Sequence, residues 1–480
     1  MQKAISKYGL AAHLALLAVA PLFLFPFCGA VWTARVLLWL SFLAFVWTLV
    51  EPSRRQGEML HDARLRVFLS VFRDPLFWFS LFLSLVAFVR WLNGGVAMAY
   101  DAENAVWSLR APALAFLPGS VSGSGYLPFA ATLAATVLMQ GCRHALGRSA
   151  RGAFLFIASF LAGVASVSAI VAAACGHAGV LAAAACTTSD ATFVGNAFGL
   201  HLAGAMVALV ASFERKWKSA MPLLIVAIGG CGAGLYSFAP DYVIAVYALA
   251  TVLALGLSLM YAGRKVGGLV VPKCLAILLI SMAACVLFTM WVVPASVREA
   301  RFAFLSQEGA SFIPDGFLAA RDSLSAIAAS VWKEHSWLGT GLGSFALDIR
   351  FNATPDDWAL FPSSQAGALN GWWQMLAERG IAGVVLFASP LLFLAWTYVL
   401  RAYEAVRKAV ASRRPAELMA LHAACWIGPL AIAATAACGF IDHSFWRPET
   451  MMAVAAMFAL SGSALPAVAK KTDEESDTEK

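Results

Sequence analysis

The chain has 480 residues, of which 61% are hydrophobic and only 13% charged, with a formal net charge of +7. A water-soluble protein of this size cannot hide that much apolar surface, so the composition excludes an ordinary soluble globule and points to a bilayer as the solvent. The positive balance needs no nucleic-acid partner, because basic residues also arise from membrane topology.

Apolar windows of roughly 20 residues recur along the chain, each long enough to cross the hydrocarbon core as a helix. Twelve are expected, at about 8–28, 30–50, 75–92, 125–141, 153–174, 192–213, 220–238, 242–262, 273–293, 379–400, 418–438 and 449–467. The expected architecture is thus an all-α polytopic membrane protein. Its first nine spans lie in 1–293, a large outer segment with short helices fills 294–378, and three more spans lie in 379–467. The tail 468–480 (KKTDEESDTEK at its core) is too polar to fold and is expected to be disordered. With the N-terminus inside, 24 of the 34 basic residues fall in cytoplasmic segments, which predicts both termini in the cytoplasm. The first apolar run is too long for a cleavable signal peptide and lacks a small-residue cleavage site. Six of the nine cysteines fall inside spans as small hydrophobes, while Cys175 and Cys186 flank an outer loop at disulfide-permitting positions.

The early spans contribute one candidate. Arg35 lies a few residues inside the second span, at outer-leaflet depth, where a charge either snorkels to water or meets a lipid phosphate. The outer loop at about 93–124 holds YDAEN, whose Asp101 and Glu103 form a short carboxylate pair, as do Asp356 and Asp357 further on. Such pairs can hold a divalent cation but arise often by chance. At the end of the ninth span, SVREAR sets Arg298 and Arg301 three apart and on one side of a helix.

In the long outer segment, IPDGFLAARDSLSAIAASVWKEH predicts a turn followed by a helix. Phe317, Leu324, Ile327, Ala328 and Val331 repeat at helical spacing, and Arg321 falls on the same face. A guanidinium there either snorkels or grips an anion. EHSWLGTGLGSF follows, with three glycines at 339, 341 and 343 that permit a tight backbone path. The span that starts after it is preceded by ALNGWWQMLAERGIAG, where Asn370, Gln374 and Glu378 form a polar stripe at four-residue spacing. That stripe either locks the start of the helix through polar contacts or supplies Glu378 as a base. His335 and, in FIDHSFWRPE, His443 are further outer-side groups that titrate near neutrality and suit proton transfer. Tryptophans 332, 337, 358, 372, 373 and 446 gather on the outer side, as an interfacial belt or as sugar-stacking surfaces.

Taken together, the arginine-led helix, EHSWLGTGLGSF and NGWWQMLAERGIAG resemble, in order and spacing, the O-antigen ligase and O-antigen polymerase family of bacterial membrane glycosyltransferases. The stretch TFVGNAFGLHLAG is similar to that family's upstream motif. The resemblance implies a GT-C-type helical fold in the bacterial inner membrane, a periplasmic active site, and catalysis without metal or other cofactor. It implies an undecaprenyl-pyrophosphate-linked glycan as donor and lipid A-core or another glycan as acceptor, with membrane lipids around it. Arg321 matches the family's helix arginine, which binds the donor pyrophosphate together with other outer-side arginines, here Arg298, Arg301 and Arg35. Asn370 matches the asparagine of a His-Asn pair, with Gln374 on the same face, but the histidine position is Leu369. The base expected at that position must come from elsewhere, and His443, Glu378 and His335 are the candidates. A repeat-unit polymerase fits the same motifs, and a twelve-span secondary transporter fits the span count.

Overall fold

The computed structural model describes residues 2–54, 57–101, 106–110, 114, 116–121, 126–175, 189–214, 220–239, 242–253, 270–295, 298–299, 317–360, 367–411, 424–440 and 450–457. Each of the twelve apolar windows contains helix among these residues. Five helical stretches are long and apolar enough to cross a membrane: Val31–Val50, Pro75–Leu92, Ala150–Ala172, Met221–Phe238 and Gly371–Thr397. Shorter apolar helices occupy Tyr8–Leu24, Gly195–Leu209, Tyr242–Leu253, Leu279–Val292 and Gly428–Gly439. Their outer faces carry Trp39, Phe42, Leu287 and Trp291, between 59% and 85% exposed. Water would penalise such a surface, and hydrocarbon would not. These helices fit an all-α, multi-pass membrane protein.

The first two windows form a hairpin. Helical hydrogen bonding runs from Gln2 to Val50, yet the His13 ring stacks on Trp47 at 5.7 Å between centroids. In a straight helix those residues would be about 50 Å apart. The chain therefore reverses between the Tyr8–Leu24 and Val31–Val50 stretches, and the two pack antiparallel. Small residues let other helices approach closely. The Ser166 hydroxyl donates to the Gly230 carbonyl at 2.6 Å, where the Arg148–Ala174 and Met221–Phe238 helices meet backbone to backbone at Gly163 and Gly230. Close contact of this kind replaces the hydrophobic drive that helices lose inside lipid.

The segments expected on the outer side depart from the purely helical expectation. Residues expected to form a loop contain a three-stranded sheet, ordered β2-β1-β3, of β1 (Gly94–Asp101), β2 (Val106–Arg110) and β3 (Ser120–Val121). β1 and β2 are antiparallel, with Ala97 opposite Arg110 and Asp101 opposite Val106, and β3 runs parallel to β1. Strands this short among glycine and alanine carry little periodic signal. Asn93 ties the sheet to the preceding helix: its side-chain nitrogen donates to the Leu114 and Leu117 carbonyls, and its oxygen accepts from the Leu114 amide at 2.8 Å. In the segment 294–378, the described helices are Phe317–Glu334, Phe345–Asn352 and Pro355–Leu360. The first buries Ala320, Leu324, Ile327, Ala328 and Val331 against Phe345, Ile349, Ala368, Leu369 and Ala377.

Candidate functional site

The site is built where a helix breaks. Gly371–Ala411 is helical except at Gly380, whose φ of 64° and ψ of −173° belong to a region open essentially to glycine alone. In an unbroken helix the amides of Ile381 and Ala382 would donate to the carbonyls of Ala377 and Glu378. Instead Ile381 donates to Ser336 at 2.8 Å and Ala382 to Trp337 at 3.1 Å. The vacated carbonyls accept from Thr340 at 2.9 Å and Gly341 at 3.0 Å. The turn EHSWLGTGLGSF thus replaces two intrahelical bonds with four bonds of its own. All three of its glycines have positive φ, and a Cβ on Gly339 would strike the Glu378 backbone. Further along, the Leu342 amide donates to Gly119 and its carbonyl accepts from Val121, each at 3.0 Å. Sheet, turn and broken helix are one hydrogen-bonded body.

The polar stripe closes the start of this helix. Asn370 accepts from the amides of Trp372 and Trp373 through its side-chain oxygen, at 3.2 and 3.3 Å, which is N-capping geometry. Gln374 accepts from the Ala368 amide at 3.2 Å and donates to the Glu378 carboxylate at 3.1 Å. All three side chains are buried. Leu369, which precedes the cap, is the single described non-glycine residue with positive φ, at 51°, and its side chain packs into the small core beneath the turn. The chain reaches the cap through a left-handed step, and the residue there contributes packing rather than a titrating ring.

Charge gathers around the break. Arg90, in the last turn of Pro75–Leu92, donates to the Leu338 carbonyl at 2.9 Å and to the Glu378 carbonyl at 3.3 Å. It clamps turn and break onto a spanning helix. Glu378 and Arg379 are buried beside it, and the three side chains lie within electrostatic reach of one another. Asp348, on Phe345–Asn352, accepts from the hydroxyls of Thr340 at 2.9 Å and Ser344 at 3.3 Å. Burial pushes its pKa up to about 6; the Thr340 and Ser344 hydrogen bonds and the nearby His335 lower it, and Glu378 raises it. Two guanidinium groups therefore meet Glu378, and a second carboxylate within electrostatic reach of Glu378, Asp348, is partly neutralised near pH 6. Arg90 and Asp348 were not singled out in the sequence: the first closes an apolar span, and the second sits in a short helix without a motif.

The remaining predicted residues are scattered. Arg321 is on the helix that packs against the site, and its hydrogen-bond partner among the described residues is the adjacent Asp322, at 2.7 Å. His335 is exposed at the end of the same helix, facing the Asp348 side. Arg298 reaches back to the end of the Val270–Val292 helix, donating to the Val293 carbonyl at 3.2 Å and contacting the Met290 sulfur. Arg35 is exposed and lies 5.0 Å over the Trp32 ring. Of the carboxylate pairs, Asp357 accepts from Ser323 and Thr354, while Glu103 lies outside the described residues. His443, Arg301, Cys186 and the tail also lie outside them.

Beside the capped helix an apolar cavity of about 140 Å³ opens among five helices, with Trp372, Leu83, Phe387, Met139, Ile432 and Met451 on its wall. Its threonines 132, 136 and 435 turn their hydroxyls to backbone carbonyls of their own helices, so their methyl groups are available to the cavity. No family model matches the chain, and no characterised protein matches its sequence.

Proposed function

We propose that this chain is a membrane glycosyltransferase of O-antigen ligase type. It would move a glycan from an undecaprenyl-pyrophosphate donor to lipid A-core or another glycan acceptor on the periplasmic face of the bacterial inner membrane. The observation that carries this reading is that the three segments that bear the family resemblance form one body. The Arg321 helix, the glycine turn and the NGWWQMLAERGIAG helix share a small core and the four exchanged backbone bonds. Two requirements of the chemistry have counterparts around that body. A departing pyrophosphate needs fixed positive charge in a site shielded from water, which Arg90 and Arg379 supply at the break and Arg321 on the adjoining helix. An acceptor hydroxyl needs a proton acceptor, and Asp348, with a pKa raised to about 6, joins Glu378, His335 and His443 as a candidate. The apolar cavity beside Trp372 suits part of an isoprenoid chain. In this reading the twelve windows all span the membrane and both termini are cytoplasmic.

Deleting the gene and resolving the surface glycans by gel tests the proposal. Complete chains missing from the acceptor lipid indicate a ligase, and a ladder reduced to one repeat unit indicates the polymerase alternative. Unchanged chain length and attachment would exclude both. Because Arg321 donates only to its neighbour Asp322 among the described residues, Arg321→Ala should abolish the activity while membrane abundance stays normal.

One observation favours a second reading, a secondary transporter. A helix broken beside buried charges is how such proteins build substrate sites. The break here is tied to the turn and sheet beside the Leu92 end of the Pro75–Leu92 helix, in segments expected outside the membrane, which suits a site at the membrane surface better than one at its midplane.

A further inference from the structure

The Leu60–Phe72 helix joins two of the helices long and apolar enough to cross a membrane, Val31–Val50 and Pro75–Leu92, and it is apolar on two sides rather than one. Ala63, Val67 and Val71 are buried against the protein. Leu65, Phe68 and Leu69 turn the other way and are 38% to 50% exposed. A helix on a water-washed surface carries a single apolar stripe, directed at its core. The second stripe here needs an apolar environment outside the fold.

Polar groups mark the side where water lies. Arg66 and Ser70 sit about 130° around the helix from the centre of the outward stripe, at 3.6 residues per turn. They line an arginine-rich cavity of about 270 Å³ together with Arg54, Arg143 and His144. Arg66 also donates to the Ser53 carbonyl at 2.9 Å and pairs with Glu58 at 2.7 Å, while Arg64 donates to the Val50 carbonyl at 2.7 Å. Both guanidinium groups thus tie the helix to the end of the preceding span and the segment that follows it. The first turn holds the exposed His61 and Asp62, so the apolar stripe is confined to the later turns.

Those later turns merge with the next span. Phe68 packs on Phe72 at 4.6 Å between ring centroids, and Phe72 on Phe77 at 5.2 Å and on Trp78 at 6.2 Å. The Trp78 indole nitrogen donates to the Phe72 carbonyl at 2.8 Å. Trp78 and Phe82 are more than half exposed on the Pro75–Leu92 helix, where lipid is the expected solvent and tryptophan favours the interface. The outward stripe therefore continues, ring against ring, into the surface that the span turns to the bilayer.

We propose that the Leu60–Phe72 helix lies along the membrane surface, with Leu65, Phe68 and Leu69 sunk among the acyl chains of the leaflet that the Pro75–Leu92 span enters. Its Arg66 and Ser70 side faces water, and its partner is the lipid surface itself. Apolar faces of in-plane helices reach about 5–10 Å into the boundary between headgroups and acyl chains. Held at that level, the helix sets the depth of the Asp74 end of the span. This placement depends on membrane insertion of the flanking spans and is independent of the chemistry at the Gly380 break.

The test uses the full chain in a cysteine-free background, reconstituted in vesicles of phosphatidylethanolamine and phosphatidylglycerol. Single nitroxide labels are placed on Leu65→Cys, Phe68→Cys and Leu69→Cys in the stripe, on His61→Cys in the first turn, and on Phe82→Cys in the span. Thermal unfolding confirms that each variant folds, and the three stripe positions report independently. Electron paramagnetic resonance compares collisions with oxygen, which partitions into lipid, and with a water-soluble nickel chelate. Oxygen collisions should dominate at 65, 68, 69 and 82, and nickel collisions at 61. Nickel dominating at 65, 68 and 69 while oxygen dominates at 82 would put the stripe in water and overturn the proposal alone. Few collisions with either reagent at those three positions would mean that protein, such as a second copy of the chain, covers the stripe, and would also overturn it. Nickel dominating at 82 as well would reject membrane insertion of the span together with the proposal.

Discussion

Asp348 is a carboxylate whose folded environment resists ionisation, since burial outweighs the two hydroxyls that hydrogen-bond it. Its pKa of about 6 in the fold lies above the ordinary aspartate value of 3.8. The folded state therefore holds this proton more tightly than the unfolded chain does. Its contribution is fully present below about pH 4 and is lost as pH rises through 6, so stability falls over that window by about 2 kcal/mol. Asp348→Asn should flatten that slope in thermal unfolding between pH 4 and 7; an unchanged slope would remove Asp348 as its source. Leu369 teaches a different lesson at this scale. Its residue type is plain in the sequence, but its positive φ and its place in the core appear only in three dimensions. Arg90 is a similar case, because the carbonyls it clamps lie 248 and 288 residues away in the chain.

Among the elements, the broken helix concentrates most of the consequence. Gly380 takes a backbone conformation that L side chains rarely adopt, and a Cβ there would collide with the Trp337 carbonyl. Gly380→Ala should therefore cost about 3 kcal/mol or more, lowering the unfolding midpoint in detergent and loosening the turn. Protection of the Ile381 and Ala382 amides from hydrogen exchange reads the second effect directly. If those amides stay as protected as in the wild type, the four-bond exchange is not what holds the turn. Much of this element was legible beforehand: the polar stripe and the glycine-rich turn are both local patterns. The break itself was not. Residues 371–397 read as a good helix on either side of one glycine, and only the turn docked against it supplies the partners that make a break tolerable.

For the molecule as a whole, the two ends of Pro75–Leu92 carry opposite kinds of site. One end holds the broken helix with its buried Arg90, Glu378 and Arg379. The other holds Asp74, which caps the helix by accepting from the Leu76 amide at 3.1 Å. Burial opposes ionisation of Asp74, but the His144 hydrogen bond and the Arg143 charge outweigh it and hold the carboxyl below its usual range. If the chain spans a membrane in the predicted sense, the two ends face different compartments. In a cysteine-free background, Asp62→Cys and Trp337→Cys occupy exposed positions at the two ends. An impermeant thiol reagent should reach Trp337→Cys from outside intact cells and Asp62→Cys only after permeabilisation. Labelling of both from one side would reject the topology.

The sequence by itself determined the membrane character, the positions of the apolar helices and the local devices: polar stripe, glycine turn, amphipathic helix. Each of these is set by residue type at short spacing, and short-range physics writes them into adjacent residues. Only the tertiary structure decided which charges meet. The Arg90 clamp, the sheet that anchors the turn and the basic cavity all join residues distant in the chain. The cost of burying a charge depends on those partners, and no local pattern carries that information.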